Sequence, residues 1–361
     1  MNRLTAIGLA SLVAYGLLIA SKYTGFVSAA REDRAAQSTA SDDAALHALV
    51  GGMRAEPNAT PVSMPAPMAS AQPMHLSPAS LEYRSARDLK AFADGLNARR
   101  GSLSADERYN LARALEECQF AMTINDDLGA YSAKQRRQFL AGLPPGDSNT
   151  AKRIAAYDAT DNTQRCQRFQ GTKISQKDVQ DLYNDAAQLG DVRAQARLLV
   201  AELNTKMSTG NRTESAPAAS PVELGSDVSR VIGMLQTQDP EAMMIVGGFL
   251  SQSNVANQLR IGPNGETPEP STLLGAFSLT ACDLTVDCTQ LNREPQLACA
   301  FSGYCDTASF EQLYQNFLAS PWAYANAVRY RNIIHTTLDT QNWSLLGLLP
   351  SNTAANTTAG H

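Results

Sequence analysis

Two signals in a fixed order constrain this chain most. An uncharged apolar run from Leu4 to Ala20 stands behind a single Arg3, and all six cysteines lie far downstream of it. An apolar run with a positive flank at the amino end reads as an export signal or a membrane anchor. An even cysteine count behind such a signal reads as disulfides formed in an oxidising compartment. As a helix the run is about 25 Å long, at the short limit for crossing a bilayer and slightly long for a signal-peptide core. Residues 1–30 are therefore either an anchor that spans the membrane through residues 4–20 or a signal peptide cleaved at Val27-Ser28-Ala29. Arg3 favours the cytoplasmic side, so the body is expected outside: periplasmic, anchored at the inner membrane, or secreted.

Residues 31–80 are rich in Ala, Ser, Met and Pro, with no sustained apolar periodicity, and read as a disordered linker. The body begins near Leu81 and is punctuated by helix starts. Ser104 with Glu107, Ser132 with Gln135 and Ser309 with Gln312 each fit a capping box, and Asp239-Pro240 and Ser320-Pro321 place a cap before a proline. Leu111, Leu115, Cys118 and Met122 share one helical face, as do Ala327, Tyr330, Ile334 and Leu338. Strand alternation is absent, so the fold class is all-α: a helical-hairpin array or an irregular helical bundle with disulfides. A polar break at 204–225 divides a helical domain at 81–203 from a Cys-rich helical domain at 226–349. The tail, 350–361, has nothing to bury and is expected to be disordered.

The stretch 185–199, DAAQLGDVRAQARLL, resembles the turn of SEL-like repeats, relatives of the tetratricopeptide repeats, through Ala186, Ala187, Gly190, Asp191, Ala194, Gln195 and Leu198. Small alanines let paired helices approach, Gly190 ends one helix and Asp191 caps the next. A weaker copy lies at Asp239-Pro-Glu-Ala242, with Val246 in the place of Leu198. The resemblance implies an antiparallel helix array with a concave surface for another protein.

Cys118 and Cys166 form one group, and Cys282, Cys288, Cys299 and Cys305 a second, in which C-x5-C occurs twice. The wide spacing and the export signal favour disulfides over a zinc site, so no metal is expected. Three pairings of the last four cysteines remain open. A bridge from Cys118 to Cys166 would close a loop of about 48 residues and stabilise by roughly 4 kcal/mol through the entropy of the unfolded chain.

No catalytic set and no cofactor motif is legible. Gly247-Gly248, inside an apolar helix, marks close packing. His335, with Asp339 four residues on, reads as a surface pair, and Glu116 and Glu117 as solvent-facing. Trp322, Tyr324, Tyr330 and Trp343 read as helix-packing aromatics. The net charge of −5 argues against nucleic acid. The sequence thus points to an exported scaffold for a protein partner in the cell envelope. One alternative is an exported helical enzyme acting on envelope polymers, with Glu116 or Glu117 as its acid; a small-molecule-binding helical module is a third reading, with no distinguishing residue in the sequence.

Overall fold

Several helices begin with a cap residue followed by proline, an arrangement in which the missing amide costs nothing. Ser77-Pro78, Asp239-Pro240, Glu269-Pro270 and Ser320-Pro321 all start helices this way, each cap side chain accepting from the amides of the first turn. The computed structural model describes residues 74–124, 127–210, 227–286, 288, 293–307 and 309–349. Its helices are α1 (Pro78–Ser85), α2 (Leu89–Asn97), α3 (Ala105–Ile124), α4 (Leu128–Ala141), α5 (Thr150–Thr160), α6 (Asn162–Cys166), α7 (Gln176–Gln188) and α8 (Val192–Gly210). They continue with α9 (Val228–Gln236), α10 (Pro240–Leu250), α11 (Ser253–Ala256), α12 (Pro270–Asp283), α13 (Glu294–Ser302), α14 (Phe310–Leu313) and α15 (Pro321–Thr340).

The fold is all-α. Extended pairing among the described residues is confined to isolated bridges, Met74 with Thr285 and Ile261 with Glu266. No helix among the described residues is long and apolar enough to cross a membrane. The apolar run 4–20, the linker up to residue 73 and the tail from 350 lie outside them.

Three expectations about boundaries are corrected. The linker was expected to reach residue 80, but α1 begins at Pro78 and Ser80 is buried, because Ser77 caps the helix and Ala79 and Tyr83 pack beneath it. The break at 204–225 was expected to start at Asn204, but α8 runs on to Gly210, with Leu203 buried. Ser132 does not start a helix. Asp127 caps α4 one turn earlier, its carboxylate accepting from the Ala130 amide at 2.8 Å, and the Ser132 hydroxyl inside α4 donates to Asp161 at 2.6 Å. The Ser104–Glu107 box forms reciprocally, and Ser309 caps α14 through the Gln312 amide.

Two large hydrophobic cores result, with a smaller cluster of Leu279, Phe310, Tyr314 and Ala327 besides. The first gathers Leu89, Phe92, Tyr109, Leu111, Cys118, Leu128, Leu182 and Ala194 from α2, α3, α7 and their neighbours. The second gathers Leu199, Leu235, Met243, Val246, Phe249, Leu273, Phe277, Ile334 and Trp343. Helix α8 serves both, with Ala194 and Leu198 facing the first core and Ala196, Leu199 and Leu203 in the second. The described residues belong to one compact unit. Gly247 lets α10 and α12 touch: a Cβ there would overlap the Phe277 ring.

The six cysteines form three sequential pairs. Cys118–Cys166 joins α3 to α6 with Cα atoms 5.1 Å apart, Cys282–Cys288 closes the end of α12 at 4.8 Å, and Cys299–Cys305 closes the end of α13 at 4.3 Å. Three disulfides indicate an oxidising, non-cytoplasmic compartment.

Candidate functional site

On α3 a second periodic stripe runs beside the apolar one. Asp106, Tyr109, Asn110, Arg113, Glu116 and Glu117 recur at helical spacing and so share a face. That face is turned into the protein. The reading of Glu116 and Glu117 as solvent-facing is therefore corrected. Glu116 accepts from the Tyr183 hydroxyl at 2.8 Å and pairs with Arg197, while Glu117 accepts from the Tyr83 hydroxyl at 2.7 Å and from Arg165 at 2.9 Å. The charges stay partly buried because tyrosine hydroxyls and guanidiniums from α1, α6, α7 and α8 supply hydrogen bonds that water otherwise would.

At the centre is Glu241, the only charge in α10. It accepts from the Tyr109 hydroxyl at 2.9 Å and from Arg84 at 3.2 Å, and pairs with Arg113. Burial pushes its carboxyl up, but Arg113, then Arg84 and Arg193, overcome this and hold it at about 2. Arg193 lies over the Tyr109 ring, 4.3 Å from its centroid, and donates to Ser80 at 2.7 Å and Asp106 at 2.6 Å. Arg113 sits over the rings of Tyr83 and Tyr109. A carboxyl held so low is a fixed counter-ion, not a proton donor at neutral pH.

This network reaches the surface at a cleft of about 320 Å³ between α1, α5, α6 and α13, lined by Arg84, Arg87, Asp158, Gln164, Arg165 and Arg293 among others. Arg165 is locked there by donating to the Ala86 and Tyr83 carbonyls at 2.8 and 2.6 Å. Burial, and then the Arg165 charge, pull Arg293 below the usual arginine value. Beside it, burial pushes the Glu294 carboxyl up to about 7.

The repeat-turn residues form a real turn. Gly190 adopts φ +93° after α7, and Asp191 caps α8 by accepting from the amides of Arg193 and Ala194, both at 3.0 Å. Ala186 and Ala194 are fully buried, and Ala187 and Leu198 are partly buried against the first core. His335 meets a different carboxylate from the one expected: its Nε2 lies 2.7 Å from Asp283 of α12, which also holds Arg331, because helix packing brings Asp283 closer than Asp339. Of the four aromatics, Tyr330 and Trp343 are buried, while Trp322 is 64% exposed and so does not pack as expected. No group of three or more His, Cys, Asp or Glu suited to a metal occurs among the described residues.

Sequence reasoning missed Arg84, Arg113, Arg165, Arg193, Arg293 and the role of Glu241. The available signal was one glutamate in an otherwise apolar helix, PEAMMIVGGFL. Comparison with known proteins adds nothing to this geometry: no family model, no curated protein and no solved structure matches the chain.

Proposed function

We propose that the protein is an exported, non-catalytic scaffold of the cell envelope, periplasmic and either anchored through residues 4–20 or released, that holds a protein partner on its helical hairpins. The observation that carries this reading is the α7–α8 hairpin, whose Gly190–Asp191 turn and buried alanines bring two helices into close antiparallel contact. The disulfides support export. Exposed aromatics on the second half, Trp322 at 64% and Phe301 at 59%, supply anchors of the kind that dominate protein interfaces.

The surroundings of the acids named for the enzyme alternative favour the scaffold reading. Glu116 and Glu117 are each engaged by an arginine and a tyrosine hydroxyl, and buried Glu241 faces arginines rather than a second carboxylate. In-cell crosslinking with a tag in place of the residues after Pro350, followed by mass spectrometry of membrane and soluble fractions, tests the scaffold. A defined set of envelope proteins, reduced by Trp322→Ala or Phe301→Ala, is the expected result. Recovery of the chain alone overturns it.

A further inference from the structure

Four arginines line the cleft between α1, α5, α6 and α13, and its volume of about 320 Å³ lies in the range of small-ligand sites. The carboxylates around it do not balance them. Arg165 is paired with Glu117, Arg84 shares Glu241 with Arg113, and the Asp158 carboxylate accepts both bonds of Arg136, at 2.8 and 3.0 Å. Arg87 and Arg293 form no ion pair among the described residues. Arg87 donates to the Asp158 carbonyl at 3.4 Å, and Arg293 to the Asn162 side-chain oxygen at 2.9 Å and the Arg84 carbonyl at 3.3 Å. A partly buried cation with only neutral acceptors is poorly compensated, and the lowered value of Arg293 reflects that.

We propose that this cleft binds a small oxyanionic ligand whose phosphate or carboxylate group is held by Arg87 and Arg293 in the field of Arg84 and Arg165. The planar fork of a guanidinium matches either group with two parallel hydrogen bonds. The site is preorganised: Arg165 and Arg293 bond the carbonyls of Tyr83, Arg84 and Ala86, fixing the end of α1 before any ligand arrives. This inference is independent of the protein-partner reading.

Isothermal titration of the oxidised full-length chain with inorganic phosphate and, separately, with succinate, both at constant ionic strength, tests it. Saturable binding of at least one anion is expected, weakened about tenfold in Arg293→Gln and severalfold in Arg87→Gln. Binding of phosphate alone identifies a phosphate-bearing ligand, and of succinate alone a carboxylate. Arg87 is exposed, so Arg87→Gln keeps the test intact if Arg293→Gln fails to fold. The proposal is overturned if neither anion binds saturably, or if both variants bind as the wild type does.

Discussion

Around Tyr109 the buried side chains end in hydroxyls, guanidiniums and carboxylates that satisfy one another, whereas around Phe249 they end in methyls and rings. Beside the second core two buried hydroxyls turn back on their own helices, Thr280 to Ala276 at 2.9 Å and Thr337 to Ile333 at 2.8 Å, while those of Ser251 and Thr272 have no hydrogen-bond partner among the described residues. The first core ties helices together by directional bonds between elements, and the second by shape. The difference teaches where each is vulnerable: a charged network fails when one partner is removed, an apolar core when its volume changes. Helix α10 belongs to both, since Met243, Val246 and Phe249 pack in the second core while Glu241 reaches into the network of the first.

Removing the shared anion is the hardest test of this contrast. Glu241→Ala leaves the partly buried Arg84 and Arg113 without it and is expected to cost about 5 kcal/mol in urea unfolding. Because the folded carboxyl is held at about 2, below its ordinary 4.5, its contribution is complete above pH 4.5 and is lost as pH falls toward 2. The variant should therefore show a flatter stability profile in that window. Cys118→Ser, which unties α3 from α6, is expected to lower stability by about 4 kcal/mol under oxidising conditions and to melt like the wild type once both are reduced.

In the apolar core, Gly247→Ala drives a methyl into Phe277, itself fully buried, and should cost about 3 kcal/mol, with no change in acid sensitivity. If it costs as much as Glu241→Ala, the contrast between the cores collapses. Glu294 sharpens the comparison from the opposite side, because burial holds its carboxyl up at about 7 instead of down. The wild type carries no penalty for it below pH 4.5, and the penalty grows to completion as pH rises through about 7. Glu294→Gln should thus stabilise by about 2 kcal/mol at pH 8 and be neutral at pH 4, as thermal melts at the two values would show. An equal effect at both would remove burial as the cause.

The apolar core was legible because its helices carry one-sided periodicity: Ala327, Tyr330, Ile334 and Leu338 lie where their spacing puts them. Helix starts were legible at Asp239-Pro240 and Ser320-Pro321, but not at Ser77-Pro78, which composition assigned to the linker, nor at Glu269-Pro270. The charged network was not. A stripe of Asp106, Arg113, Glu116 and Glu117 has the spacing of a solvated face, and only its tertiary partners, from Tyr83 to Glu241, make it interior. The cleft depends on contacts between residues as far apart as Arg84 and Arg293, which no local pattern encodes. The disulfide pairing lay between these extremes, for the spacing defined the groups and the helix ends decided the partners.

Met74 is joined to the far part of the chain by two backbone bonds, its amide donating to the Leu284 carbonyl at 2.8 Å and its carbonyl accepting from the Val286 amide at 3.1 Å. This clasp lies inside the loop closed by Cys282 and Cys288. Any force transmitted along residues 1–73 therefore enters the body at a covalently closed loop on the end of α12, in addition to α1. A pull on the leading segment is therefore shared between α1 and the end of α12, two elements far apart in the sequence.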